Sequence, residues 1–431
     1  MSSILPLFPD NMVVSERGRI NLSGFDILEL AEKYSTPLYI YDAHTIFHNI
    51  DTLKDTLKKY YPGESIITYA AKAYFSLRFA QFIAKTEVGI DAVSENELIF
   101  ALRAGIKPER IHLHGNNKTY AELDHAVQAN IHAIVIDNFE DIEILERLSH
   151  KKSPISVWIR VNPEIDEIAT HPYRNTGHSV SKFGLTIRDG QAETAIRMLM
   201  ANPNFRLIGI HTHIGSQIFD TAPYKQAIGE MLKLARRCNW IPAEVCPGGG
   251  WGVPYRHDEM INNNIENWIR EISIVIQEEY RGSNFLPRLI LEPGRWIVAR
   301  AGIAIYTVGR VKQFSNGEKL LAVDGGMGDN IRPPLYQAEY EAIVAENPLG
   351  SPTTCYRIVG RFCESGDELI HEIDLPEVQT GNHLIFPVSG AYHLSMASNY
   401  NLFARPAVLW VENGSVNVLQ ERENLFTGWW V

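Results

Sequence analysis

Residues 65–72 of the chain read SIITYAAK. An apolar, β-favouring run passes into a lysine without polar alternation, the pattern of a strand covered on both faces in a parallel sheet. Outward from it the pattern recurs at 88–93 (VGIDAV), 111–115 (IHLHG), 133–137 (AIVID), 155–161 (ISVWIRV), 207–214 (LIGIHTHI), 244–247 (EVCP) and 288–292 (RLILE). The 244–247 run is weak by propensity; the helical pattern before it and the glycine run after it make it a strand. Amphipathic helical patterns fill the gaps at 76–86, 94–104, 120–130, 139–150, 190–201, 222–238 and 266–280, and Ser94 with Glu97 reads as a capping box. Eight strands with intervening helices favour an α/β fold, a closed (β/α)8 barrel of the TIM type, over an open doubly wound sheet.

The ends of the chain differ. Residues 37–41 (PLYIY) form a strand ahead of the barrel. From about residue 299 helical periodicity fades, and IAIYTVGRVKQF, KLLAVDGG, TTCYRIVG, NHLIFPV, PAVLWVEN and SVNVLQ read as β, punctuated by Gly, Asn and Pro. The expected organisation is a barrel over 43–298, a mainly β C-terminal domain over 299–431, and an N-terminal segment, 1–42, that completes the β domain.

Composition narrows the function. The 431 residues are 45% hydrophobic and 21% charged, as in soluble globular proteins. A net charge of −11 argues against nucleic acid as a partner. No stretch is long and apolar enough to span a bilayer, and the start, MSSILPLFPDNMVV, does not read as a signal peptide. Cys238, Cys246, Cys355 and Cys363 form no close metal-binding pair, and a core of this size needs no disulfide. The expected setting is cytoplasmic, with no membrane, nucleic acid or metal.

Chemistry gathers where a barrel places its catalytic groups, at the C-terminal ends of the strands. Lys72 follows the first strand; alone it would read as a solvent-facing lysine, in company as a nucleophile. His213 offers a ring to stack on a ligand ring, unless it is a core histidine; His211, two residues away, shares its side of the sheet. Gly248, Gly249, Gly250 and Gly294 allow backbone amides to approach an anion, and a following helix start would add its dipole; a plain turn is the alternative. Ser216 and Tyr392 are candidates to join them. Glu292, costly to bury without a partner, suits a pyridine nitrogen. Asp91 supports Lys72 or the histidines, or caps a helix. An amine, a ring, an anion cradle and a carboxylate are the parts that hold pyridoxal phosphate (PLP). Arg295, Arg332 and Tyr336 suit a substrate carboxylate, and Cys363-Glu364-Ser365-Gly366-Asp367 joins a proton donor to a carboxylate for an ammonium group.

The segments YAAKAY (69–74), IDAVSENE (90–97), HGNNK (114–118), RVNP (160–163), TGHSVSKFG (176–184), GIHTHIGSQ (209–217), GGGWG (248–252), EPGR (292–295), VDGGMGDNIRPPLY (323–336), CESGD (363–367) and GAYHLSMASNYN (390–401) carry a resemblance covering about residues 25–425. In this order the chain resembles the diaminopimelate decarboxylases, within the alanine-racemase-like, barrel-fold, PLP-dependent amino acid decarboxylases. The resemblance implies that Lys72 is the lysine joined to the cofactor, His213 the ring stacker and Glu292 the pyridine partner. It implies phosphate contacts from Ser216, Gly250 and Tyr392, with Gly294 and Arg295 at the adjoining loop. Arg295, Arg332 and Tyr336 would clamp a substrate carboxylate, Glu364 would meet its amine, and Cys363 would donate a proton from the other subunit. It further implies head-to-tail homodimers with shared sites and decarboxylation of meso-2,6-diaminopimelate to L-lysine and carbon dioxide. Three positions depart from the family: Arg361 where proline is usual, Val180 where an acid is frequent, and Trp296 where a small residue is common. They bear on substrate shape and leave alternatives: a decarboxylase for D-ornithine, D-lysine or a biosynthetic intermediate, a racemase, or a non-catalytic PLP binder.

Overall fold

The computed structural model describes residues 5–149, 154–165, 176–178, 180–262, 264–424 and 426–427. Ser179 of the 176–184 segment, His150 of the 139–150 helical pattern, and parts of the expected 1–42 and 299–431 segments lie outside the described residues. The chain divides into two compact units, one of Asp51–Gly252 with Asn264–Gly294, the other of Met1–Ile50 with Val253–Asn263 and Arg295–Val431.

The first unit is a closed barrel. Its strands are Ser65–Ala70, Gly89–Ala92, Ile111–Leu113, Ala133–Ile136, Ile155–Asn162, Phe205–His211, Glu244–Cys246 and Arg288–Leu291. Each pairs in parallel with the next, and the last closes on the first through Leu289↔Ser65 and Leu291↔Ile67, which excludes the open sheet. Leu185–Thr186 adds a short parallel strand beside the fifth. Inside, Ala133, Val135, Trp158, Cys246 and Ile290 form one buried cluster. Gly209 makes room for Trp158: a Cβ there would lie 2.5 Å from the indole. Truncating so large a buried ring to alanine costs about 3–5 kcal/mol.

The expected helices form at Leu77–Ile83, Glu95–Arg103, Tyr120–Ala129, Phe139–Leu148, Gln191–Ala201, Ala222–Arg237 and Ile265–Glu279. Ser94 accepts from Glu97 N–H at 3.3 Å, but the Glu97 side chain accepts from Val93 N–H at 2.7 Å, so the capping box is not closed on Ser94. A complete one forms at Thr119 and Glu122. The helix Ala43–Tyr60 is an addition. Its signal was present in the sequence: Ile46, Ile50, Leu53 and Leu57, all buried, repeat at helical spacing.

The second unit is β-rich. Its main sheet runs in the order Glu368–Leu375, Thr354–Val359, Lys319–Val323, Gly302–Gln313, Leu38–Asp42, Ala407–Glu412, Ser415–Gln420. Leu38–Asp42 lies antiparallel to Gly302–Gln313 and parallel to Ala407–Glu412. Leu38 and Ile40 share a buried cluster with Phe8, Leu22, Ile305 and Leu409, so N- and C-terminal sequence builds one core. The strand Glu368–Leu375 and the small sheet Met12–Val14, Ile20–Leu22, Phe25–Asp26 were not read from the sequence.

Candidate active site

In the barrel unit, Lys72 sits in a single 3-10 turn, Ala71–Ala73, directly after the first strand. Its backbone is tied down on both sides: Ala70 N–H donates to Pro293 O at 3.2 Å, and Gly294 lies against Ala70 and Ala73. Lys72 itself is exposed, while Ala71 and Ala73 are buried.

The carboxylate of Glu292 is 4% exposed, and two histidines hold it. His211 Nε2 lies 3.0 Å from Glu292 Oε2, and His114 Nε2 lies 3.2 Å from Oε1. The His114 contact is an ion pair rather than a hydrogen bond, and Glu292 Oε1 is buried without a hydrogen bond among the described residues. His114 Nε2 is also 3.4 Å from Asp91 Oδ1, another buried oxygen without a hydrogen bond among the described residues. Burial alone would raise Glu292, but His211 and His114 outweigh it and hold the carboxyl well below its usual range. Burial pulls His114 down, and Asp91 and Glu292 outweigh that, raising it. Burial, joined by Glu292, pushes Asp91 up against the pull of His114. Burial brings His211 to about 4, so it is the neutral donor in its pair with Glu292. These shifts favour the protonated form of His114, between two acids, and the ionised form of Glu292.

His213 lies just beyond the sixth strand, half-buried. Burial first, then Lys72 and Arg160, drive its pKa well below the usual value, so the ring is neutral. Gly249 N–H faces its Nδ1 at 3.4 Å, which leaves the ring proton on Nε2.

The glycine run is shaped by contact rather than by looseness. A Cβ on Gly249 would lie 2.1 Å from Glu292 O. Gly250 has φ +94°, and a Cβ there would lie 1.9 Å from Gly215 O. Ile218 N–H donates to Gly250 O at 3.2 Å, and Tyr224 Oη donates to Gly249 O at 2.7 Å. Gly248 O accepts from Glu292 N–H at 3.0 Å, which joins the run to the Glu292 loop. Ser216 is half-buried one residue after Gly215. The expected helix start after the run is not there: the next α-helix begins at Ile265. Any anion would meet loop amides rather than a helix dipole.

These residues fit PLP. A buried anionic oxygen without a hydrogen bond suits a protonated ring nitrogen, and a run whose side-chain space is filled by backbone suits a phosphate cradle. The sequence reading named Glu292, His213 and the glycines as candidates, and left His211 as an orienting residue. It missed His114 as the group between the two acids, although HGNNK at a strand end was the available signal.

The β-rich unit gathers a second polar cluster. Arg295 Nη1 donates to Tyr255 Oη at 2.6 Å, and its guanidinium lies 4.5 Å from the centre of the Tyr392 ring. Arg332 stacks 4.3 Å over Tyr255 and donates to the Tyr340 hydroxyl. Tyr340 Oη is 2.7 Å from His393 Nε2, and Tyr39 Oη is 3.2 Å from His393 Nδ1. Arg332 is 1% exposed, and among the described residues it forms no ion pair. Tyr336 is half-buried at the end of the short helix Arg332–Tyr336. Tyr255, Tyr340 and His393 are absent from the sequence reading; only His393, inside GAYHLSM, stood in a segment that drew notice.

Cys363 is exposed, its N–H donating to Asn401 Oδ1 at 2.9 Å. Glu364 Oε1 accepts from Tyr400 Oη at 2.8 Å. Asp367 shapes this turn, accepting from Met327 N–H at 2.6 Å and Phe362 N–H at 2.8 Å. Of the departures from the family, Arg361 stacks 3.9 Å over Phe403, Trp296 is half-buried, and Val180 is 86% exposed.

Residues 47–299 match the family "Pyridoxal-dependent decarboxylase, pyridoxal binding domain". A diaminopimelate decarboxylase of Bacillus subtilis is 40% identical over 95% of this chain and 94% of its own, and one of Bacillus methanolicus 39% identical over 96% of each. A crystal structure of diaminopimelate decarboxylase from M. jannaschii with L-lysine superposes with a TM-score of 0.89 at 31% identity, covering 96% of each chain. No helix among the described residues is long and apolar enough to cross a membrane.

Proposed function

Because the chain belongs to the PLP-dependent decarboxylases of the diaminopimelate decarboxylase family, we propose that it removes carbon dioxide from meso-2,6-diaminopimelate and releases L-lysine. The enzyme is a PLP-dependent carboxy-lyase acting on a small amino acid. The observation that carries the substrate is Arg332, a buried cation that forms no ion pair among the described residues. A buried charge of this kind needs an anion, and the distal carboxylate supplies one. A substrate without that carboxylate leaves the clamp unpaired and is rejected.

Bound, PLP supplies a conjugated ring that takes up the electron pair freed when the carboxylate leaves. Lys72 holds the cofactor covalently. Glu292, kept ionised by His114 and His211, presents Oε1 to the ring nitrogen, and Asp91 shares His114. His213, neutral, covers one ring face. Ser216, Gly248, Gly249, Gly250, Gly294, Arg295 and Tyr392 hold the phosphate. Arg295, Arg332, Tyr336 and Tyr392 hold the substrate, and Glu364 meets its distal amine. Cys363 returns a proton to the α-carbon, entering from the second chain of a head-to-tail homodimer. The working division is a PLP-binding barrel at 43–298 and a β domain of 299–431 with 1–42. The four free cysteines support a reducing, cytoplasmic setting.

The test is incubation of PLP-loaded protein with meso-diaminopimelate, D-ornithine and D-lysine, reading carbon dioxide and amine product together. Stoichiometric carbon dioxide and lysine from diaminopimelate alone is the expected result. Turnover of only the substrates lacking a distal carboxylate rejects the substrate assignment.

A further inference from the structure

Within the β-rich unit, Arg332 heads a chain of buried hydrogen bonds that ends on a carboxylate. The guanidinium donates to Tyr340 Oη. Tyr340 Oη lies 2.7 Å from His393 Nε2, and His393 Nδ1 lies 3.2 Å from Tyr39 Oη. Tyr39 Oη donates to Asp329 Oδ2 at 3.0 Å. Every member is buried: Arg332 and His393 are 1% exposed, Tyr39 0%, and Tyr340 and Asp329 4%. Asp329 is itself fixed, with Tyr306 Oη donating to Oδ2 at 2.6 Å and Gly326 N–H to Oδ1 at 3.0 Å.

Both ends impose the same direction on the protons. A guanidinium can only donate, so Tyr340 accepts from Arg332 and has a single proton to pass on. At the far end an ionised Asp329 can only accept, so Tyr39 turns its proton there and takes one from His393 Nδ1. Burial, then Arg332 and Arg295, push His393 well below its usual pKa, so the ring is neutral. Its Nδ1 is the donor to Tyr39 and its Nε2 the acceptor from Tyr340. Burial lifts Asp329 to about 6, which leaves it ionised in mildly alkaline solution. In such a chain each bond polarises the next, so an anion at one end supports a cation at the other without touching it.

We propose, on the reading that Arg332 holds the distal carboxylate of the substrate, that Asp329, Tyr39 and His393 are positioning residues that set the guanidinium for it through Tyr340. Fixing one donor of a rigid, planar fork fixes the direction of the others. Reversing the chain would make His393 Nε2 a second donor to Tyr340 and leave the hydroxyl proton without an acceptor among the described residues. The clamp would then lose its fixed partner while the rest of the site stayed as it is.

The two enantiomers of lysine separate this role from a general loosening. L-Lysine keeps the distal carboxylate and lacks the one that leaves; D-lysine is the converse. Competitive inhibition constants of both against meso-diaminopimelate are measured on the PLP-loaded enzyme, together with KM and kcat. Asp329→Asn reverses the chain: its carbonyl keeps the Gly326 bond, and its NH2 donates to Tyr39, whose proton then turns to His393. Tyr39→Phe cuts the chain. Each should weaken L-lysine and raise KM at least about fivefold, with D-lysine and kcat within about twofold of wild type. Arg332→Met should weaken L-lysine further and spare D-lysine. If it does, and the two chain variants bind L-lysine as wild type does or lose both lysines alike, the positioning role is overturned and the clamp stands. If Arg332→Met does not weaken L-lysine selectively, the clamp itself falls, and the positioning role with it.

Discussion

His211 Nε2, at the end of the sixth barrel strand, and Glu292 Oε2, on the residue that follows the eighth, are 3.0 Å apart, and Glu292 Oε1 is left buried without a hydrogen bond among the described residues. One carboxylate thus has one oxygen engaged and one available. The neutral His211 donates, and the raised pKa of His114 favours a cation beside the anion. Such an arrangement holds a negative charge in a fixed place before any ligand arrives, which is the source of most electrostatic catalysis.

Glu292→Gln should keep the fold and lower kcat by roughly a hundredfold or more. The glutamine oxygen can still accept from His211, which turns the amide NH2, a donor, toward the position of Oε1. A ring nitrogen there loses its acceptor. The measurement is kcat at saturating cofactor and substrate, and a value near wild type removes Glu292 from its assigned role.

Lys72→Ala should abolish turnover, since no amine remains at the end of the first barrel strand to hold the cofactor. Borohydride treatment of the wild-type protein, followed by peptide mapping, should fix the cofactor to the peptide containing Lys72 and nowhere else. Fixation on a different lysine would contradict the assignment.

Mixing should restore activity to two dead proteins. Lys72→Ala and Cys363→Ala, each nearly inactive, are combined under conditions that exchange subunits. In a two-fold dimer with shared sites, half of a random mixture is mixed dimer, each with one intact site of two, so about a quarter of wild-type sites return. Verified mixed dimers without activity would place Cys363 with its own chain's Lys72 or outside the chemistry.

Glu97 gives a pH-dependent stability. Burial raises its pKa to about 7 from the ordinary 4.5. Below the unfolded value the group is neutral in both states. As pH rises from there to the folded value the unfolded chain ionises first, so stability is lost across that window and is level above it. Glu97→Gln, whose oxygen can still accept from Val93 N–H, escapes this loss. Its stability gain should therefore be larger at pH 8.5 than at pH 5.5, by about 2 kcal/mol. Urea unfolding of the cofactor-loaded proteins at the two pH values measures it; an equal gain at both would show that Glu97 ionises normally.

The sequence by itself determined the barrel and the positions of its chemical groups along the rim. A parallel strand buried on both faces requires a continuous apolar run, and the residue ending that run is a strand end wherever the strands close. Lys72, Glu292 and the Gly248–Gly250 run were legible on that ground. The helix Ala43–Tyr60 was equally legible from Ile46, Ile50, Leu53 and Leu57 but was not read. Only the tertiary structure decided the partners. That His114 stands between Asp91 and Glu292, or that Arg332 stacks on Tyr255 and bonds Tyr340, follows from barrel closure and sheet register. Glu97 teaches the same lesson at short range: its spacing matches a capping box with Ser94, yet its side chain turns to Val93. Periodicity records which face of an element is buried, because burial acts on each residue separately. A hydrogen bond between residues far apart in the chain depends on where two backbones meet, and no local pattern carries that.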